Sequence, residues 1–141
     1  MGTAEENRQV IEGFWDELYR QDLEAAAGRF APHGTYTDVG TPDDDVAHGP
    51  EEIVKRLTLA WSRLAGLHDE RRNLVAGDDV VMTEHIESWE WPTGETMALP
   101  VLSVHELVDG RIVRWTDYWD MGTLVAAAPQ WWFHEIMQGW K

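Results

Sequence analysis

The stretch Val80-Val81-Met82-Thr83-Glu84-His85-Ile86-Glu87-Ser88-Trp89-Glu90-Trp91 decides the fold, because its side chains change character at every second residue. A period of two is that of a strand with unlike faces. One face carries Thr83, His85, Glu87 and Trp89; the other carries Met82, Glu84, Ile86 and Ser88. The stretches Leu67 to Ala76, Glu95 to Leu107 and Arg111 to Asp120 have the same period. Between them lie Gly77-Asp78-Asp79, Pro92-Thr93-Gly94 and Val108-Asp109-Gly110, residues that suit tight turns. The pattern predicts an antiparallel meander of four strands.

Upstream of Leu67 the period is helical. Thr3-Ala4-Glu5-Glu6 has capping-box spacing, and Val10, Ile11, Phe14, Trp15 and Leu18 recur on one face, which predicts a first helix ending near Arg20. Asp22 caps a second, short helix carrying Leu23, Ala26, Ala27 and Phe30 and stopping at Pro32-His33-Gly34. Thr35 to Asp38 reads as a short strand with Tyr36 and Asp38 on one face, followed by a loop at Gly40-Thr41-Pro42-Asp43-Asp44-Asp45. Gly49-Pro50-Glu51-Glu52 begins a third helix, with Ile53, Val54, Leu57, Trp61 and Leu64 as its buried stripe. The tail from Pro129 to Lys141, rich in tryptophan, reads as a short helix or lid. Three helices before a bent meander make an α+β chain, read as one domain over residues 1–141 with helices covering one side of the sheet.

The chain has 141 residues, with 26 acidic against 11 basic side chains, a formal net charge of −15. That excess repels phosphate backbones and anionic headgroups, so nucleic acid and membrane surfaces are not expected partners. No apolar run approaches the roughly 20 residues of a membrane span, and the N-terminus is acidic and polar, so the expectation is a soluble cytoplasmic protein. With no cysteine, disulfides, thiolate nucleophiles and cysteine-based zinc sites are excluded. The six histidines show no metal-ligand spacing such as His-Glu-x-x-His, and the glycines form neither a P-loop nor a dinucleotide fingerprint. No metal and no cofactor are expected. Nine tryptophans are more than a core of this size needs, since a buried indole N–H must find a partner. They point to an aromatic-walled cavity, or else to a core and a dimer seam.

Charged groups that share a face with large aromatics are the informative positions. His85 and Glu87 stand beside Trp89; in the last strand Val113, Trp115, Asp117 and Trp119 share a face. A carboxylate among aromatics is costly to ionise unless it is paired. If these faces are one concave side, Tyr36, Asp38, His85, Glu87 and Asp117 converge as an acid/base set, in which one carboxyl stays protonated while another accepts a proton. The structural alternative puts Glu87 and Asp117 on the solvated outer face, paired at most with Arg114 or Lys55.

The segments Val81 to Glu87, Pro92-Thr93-Gly94 and Asp109 to Asp120, together with Tyr36-Thr37-Asp38, resemble limonene-1,2-epoxide hydrolase and its relatives in the nuclear transport factor 2-like, or SnoaL-like, superfamily. The resemblance implies a cone-shaped barrel of a strongly bent mixed β-sheet wrapped by about three N-terminal helices around a deep apolar pocket, in a homodimer. It implies that Asp117 deprotonates the attacking water, that Glu87 protonates the epoxide oxygen, and that Tyr36 holds the water. Asp38 stands where that family has an asparagine, and His85 where it has an arginine bridging the two carboxylates. Arginine is a permanent cation with a fixed fork of donors, so this exchange leaves either a protonated acid or a protonated His85 in the pocket. Trp89, Leu99, Trp115 and Trp119 are the expected contacts of a small apolar substrate.

Two further readings follow from the same residues. Dehydratases, isomerases and cyclases of the superfamily move protons with His, Asp and Tyr, a role that His85 and Asp38 could take here. Ketosteroid isomerases place a basic aspartate at the Asp38 position, but the first-helix tyrosine is replaced here by Phe14, and their second acid falls near Leu102 or Ser103. A non-catalytic protein that binds small ligands is the third reading, because fold does not dictate function.

Overall fold

The computed structural model of the chain describes residues 2–42 and 45–140. Helix α1 (Ala4–Tyr19) begins at the expected capping box: Thr3 accepts from the Glu6 N–H and Glu6 reaches back to the Thr3 N–H. Its buried face is Ile11, Phe14, Trp15 and Leu18. Helix α2 (Leu23–Ala27) is capped by Asp22 and ends before Phe30, which opens strand β1 (Phe30–Asp38). Phe30 is therefore a strand residue and not part of the second helix. The strand starts five residues before the expected Thr35, despite Pro32 and Gly34, because its register shifts between Phe30 and Thr35. Such an irregularity tolerates both breakers. Gly34 is needed there, since a Cβ would stand 2.9 Å from the Ile112 carbonyl oxygen and from the Phe30 ring.

The expected loop after β1 falls partly on residues 43 and 44, outside the described residues. It leads to strand β2 (Ala47–His48), too short to be read from a period of two, and to helix α3 (Gly49–Trp61) with proline in its first turn. The meander follows as β3 (Gly66–Ala76), β4 (Val80–Glu90), β5 (Thr96–Val108) and β6 (Arg111–Tyr118), within one to two residues of the sequence reading. Helices α4 (Met121–Ala127) and α5 (Gln130–Ile136) close the described chain. The tail thus holds the expected short helix, α5, and one more helix, α4, precedes it.

The strands form one curled six-stranded sheet in the order β2-β1-β6-β5-β4-β3, with β1 and β6 parallel and every other pair antiparallel. This is the mixed α+β architecture expected, and the helices pack on its buried face. In β6 the register shifts opposite Glu106 and Leu107, so Ile112, and not Val113, is buried on the same side as Trp115 and Asp117. Among the described residues no helix is long and apolar enough to cross a membrane.

Candidate active site

Strand register brings distant residues to one place. Asp38 pairs with Asp117, Asp117 with Ser103, and Ser103 with Thr83, a single rung across β1, β6, β5 and β4. The adjacent inward rung is Tyr36, Trp115, His105 and Val81. On the other side of the Ser103 rung, His85 stands opposite Val101 and Glu87 opposite Leu99. Side chains that face inward on one strand meet inward partners on the next, so every candidate carboxylate is on the same face. Arg114 pairs with Glu106 and Lys55 with Glu51, so neither reaches Glu87 or Asp117, which are 7% and 6% exposed.

A cavity of about 380 Å³ lies between this face, α3 and the C-terminal helices. Tyr36, Asp38, Glu87 and Asp117 line it, with Trp89, Leu99 and Trp119 among its walls. Phe133, Ile136 and Trp140 of the tail also contribute. His85 and Trp115 do not line it. The Trp115 ring lies flat against Tyr36, centroids 3.9 Å apart, and against His105 on its other stacking contact. It acts on the site through its edge, donating from Nε1 to Asp117 Oδ1 at 2.6 Å.

His85 is fully enclosed behind the wall, its ring 4.6 Å from that of Trp15. Its Nδ1 lies 2.6 Å from Asp69 Oδ1 and its Nε2 lies 2.8 Å from Ser103 Oγ. Ser103 in turn donates to Asp117 Oδ1 at 2.5 Å. Tyr19 donates to Glu87 Oε2 at 2.5 Å, and its hydroxyl stands 3.4 Å from His85 Nδ1. Imidazole is shorter than a guanidinium and cannot span two carboxylates alone. Here two hydroxyls extend it, Ser103 toward Asp117 and Tyr19 toward Glu87.

Asp38 is held differently. Tyr36 OH lies 3.1 and 3.0 Å from its two oxygens, Trp119 Nε1 donates to Oδ1 at 2.9 Å, and Arg56 Nη2 donates to Oδ2 at 2.8 Å. Arg56 also binds Asp45, which accepts from Trp140 Nε1 at 2.9 Å. The extra negative charge that Asp38 brings is therefore matched by a buried guanidinium from α3.

Burial pushes the carboxyl of Asp117 well above its ordinary value, and the charges of Asp38 and Glu87 add to the shift against the Ser103 and Trp115 hydrogen bonds. Burial also raises Glu87, opposed by its bonds to Tyr19 and Trp89 and by the charge of His85. The phenols of Tyr19 and Tyr36 are raised by burial and by the neighbouring carboxylates, Glu87 and Asp38 respectively, so both stay protonated donors. Burial opposes the charge on Arg56, but the carboxylates of Asp38 and Asp45 outweigh it and hold the guanidinium protonated.

Four residues of this site, Arg56, Tyr19, Asp69 and Ser103, were not assigned to it by the sequence reading. Two carry a usable signal. Arg56 lies three residues after Ile53 and Tyr19 four after Trp15, each one turn along a buried helical face. Asp69 carries none, because its place depends on β3 pairing with β4 opposite Glu87.

Residues 11–115 match the family model of the SnoaL-like domain. Among solved structures, the chain is similar to an LEH-like epoxide hydrolase of M. tuberculosis, with a TM-score of 0.73 at 22% identity over 87% of this chain and 89% of that one. It is similar as well to a putative SnoaL-like polyketide cyclase of Jannaschia sp. CCS1, with a TM-score of 0.79 at 14% identity over 92% and 96%. A third is an epoxide hydrolase/cyclase-like enzyme with a role in pyran ring formation in polyether salinomycin, with a TM-score of 0.72 at 17% identity over 84% and 94%. At these identities the likeness is one of fold, while the family model spans most of the chain: this protein belongs to the SnoaL-like domain family, within the nuclear transport factor 2-like fold.

Proposed function

We propose that the chain is an enzyme that adds water to a small apolar epoxide by carboxylate acid/base catalysis, without a cofactor. Asp117 carries this reading. Both of its protein donors fall on Oδ1, so Oδ2 accepts no hydrogen bond from the described residues, and Asp117 lines the cavity. A second buried carboxyl, Glu87, lines the same cavity and is raised by burial. Two carboxyls in a water-poor space resist double ionisation, so one holds a proton while the other is free to take one.

The chemistry then runs as a single displacement. Tyr36 spends its only hydroxyl hydrogen on Asp38, so its oxygen accepts a hydrogen from water and aims it. Asp117 Oδ2 removes the other water proton as the water oxygen bonds to an epoxide carbon. The ring C–O bond breaks, and Glu87 gives its proton to the departing oxygen. The product is a diol, Asp117 ends protonated, and Glu87 ends ionised. Trp89, Leu99 and Trp119 supply apolar contact to the substrate, while Trp115 and His85 support the acids from behind.

The proton-transfer reading, with His85 or Asp38 as base, draws less support. His85 does not line the cavity, and Asp38 is bound by Tyr36, Trp119 and Arg56. Apolar epoxides such as limonene 1,2-epoxide and styrene oxide, turned over in oxygen-18 water, test the assignment. The expected product is a diol carrying one solvent oxygen, and Asp117→Asn lowers its rate by about 10²-fold or more. A labelled diol formed equally fast by Asp117→Asn removes Asp117 from the mechanism. Bound epoxide with no diol at all moves the reading to a ligand-binding protein.

The protein is also proposed to act as a homodimer. Met82, Leu102 and Tyr118 are exposed on the outer face of the sheet, where Leu102 and Tyr118 stand directly opposite each other. Sedimentation should give twice the chain mass of 16.2 kDa. Leu102→Glu should return it to the single value.

A further inference from the structure

The hydrogen bonds behind the cavity wall leave little freedom in where their protons lie. Ser103 has one hydroxyl hydrogen, and it goes to Asp117 Oδ1 at 2.5 Å. His85 Nε2 lies 2.8 Å from Ser103 Oγ, whose hydrogen is already given away, so Nε2 must carry a hydrogen and donate it. At the far side of the ring, Nδ1 and Asp69 Oδ1 share one hydrogen across 2.6 Å. With Nε2 already donating to Ser103, that hydrogen makes the pair an imidazolium and a carboxylate if it sits on Nδ1, or a neutral imidazole and a carboxylic acid if it sits on Asp69. The His85 side chain is 0% exposed and that of Asp69 only 4%, so water does not substitute for either.

We propose that Asp69 and His85 are positioning residues for Asp117: they fix the Ser103 hydroxyl as a donor to Oδ1 and so leave Oδ2 as the oxygen that takes the proton. The proposal rests on the reading of Asp117 as the base. Without Asp69 the neutral ring is free to place its hydrogen on Nδ1, where the Tyr19 hydroxyl stands 3.4 Å away. Nε2 then becomes an acceptor and competes for the Ser103 hydrogen. Asp117 loses a donor that favours its ionised form, and its carboxyl titrates at higher pH.

Other charges bear on the same groups. Asp38 and Tyr36 face Asp117 from β1, Glu87 faces it from β4, and Arg56 of α3 acts through Asp38. His85 is faced by Tyr19 from α1, by Asp69 from β3, by Ser103 and His105 from β5, and by Glu87 on its own strand. All but Asp69 itself are retained when that residue alone is changed.

The test is a pH titration of carbon-13-labelled aspartate carboxyls by NMR, with the Asp117 signal assigned by its loss in Asp117→Asn. Asp69→Leu and Ser103→Ala should each raise the Asp117 midpoint by about one pH unit. Ser103→Thr, which keeps the hydroxyl, should not. Adding His85→Phe to Asp69→Leu removes the competing acceptor and should bring the midpoint back toward that of the unaltered protein. Loss of packing alone would instead make this double variant worse.

Asp69→Ala serves in place of Asp69→Leu if the larger side chain prevents folding. An Asp117 midpoint unchanged in the Asp69 variant overturns the proposal even if diol formation proceeds. A shifted midpoint supports the positioning role even in a protein that makes no diol, and in that case only the hydrolase reading fails. Where diol is formed, the acid limb of kcat/KM should move up with the midpoint.

Discussion

Asp38 and Asp117 are direct neighbours on paired strands and nearly equally buried, at 9% and 6% exposed, yet they are treated in opposite ways. Asp38 receives a guanidinium, an indole and a phenol. Asp117 receives a hydroxyl and an indole, both on one oxygen, and no cation among the described residues. A buried carboxylate with a full set of donors and a counter-charge is a fixed structural anion. One with neutral donors on a single oxygen can still gain and lose a proton. The difference teaches that two neighbouring acids of one rung, lining one cavity, can be left in opposite electrostatic states by what the other elements bring to them.

The largest way to break this comparison is to remove the cation. Arg56→Met leaves Asp38 and Asp45 without the counter-charge they share, and a loss of about 3–5 kcal/mol in urea unfolding is expected. A smaller loss would mean that Asp38 takes up a proton once its counter-charge is gone.

Glu87→Gln sharpens the comparison from the other side. Burial raises Glu87 and Asp117 in the folded chain, so the folded state holds their protons more tightly than the unfolded one. Their contribution to stability is complete below the unfolded carboxylate range and is lost as pH rises through the raised values. Urea unfolding should therefore find Glu87→Gln gaining on the unaltered protein as pH rises from about 4 to about 8. A constant difference across that range would place the Glu87 shift elsewhere.

The smallest expected effect concerns His105, a buried group with neither a counter-charge nor a cavity to serve. Both of its ring nitrogens are buried with no hydrogen-bond partner among the described residues, and burial, with the charge of His85, lowers it to about 3. A group depressed in this way favours the folded state fully above its ordinary value of 6.5, and that stability is lost as pH falls toward 3. His105→Phe keeps the stack on Trp115 and should gain about 1 kcal/mol, with a flatter acid limb in thermal melts.

Much of the sheet was legible because its signal is local. The alternation in β4 assigns Thr83, His85, Glu87 and Trp89 to one face, and all four are buried there. Turn residues and helix caps set the element ends, as at Thr3, Asp22 and Pro50. The misreadings came where two local signals conflict: Phe30 continues a helical period but pairs as a strand, and Pro32 with Gly34 resembles a stop. Val113 alternates correctly, yet a register shift in β6 turns its neighbour Ile112 inward instead.

By itself the sequence determined the order of the long elements and which residues share a strand face, Tyr36 with Asp38, His85 with Glu87, and Trp115 with Asp117, while leaving open whether those faces point inward. A period depends only on residues a few positions apart, so it survives without knowledge of the partner strand. The tertiary structure alone decided which acid is neutralised and which stays free. That choice turns on Arg56 arriving from α3, Tyr19 from α1 and Asp69 from β3, over sequence separations for which no local period exists. It also decided that His85 and Trp115 stand behind the wall, because burial in depth depends on what packs against a face and not on the face alone.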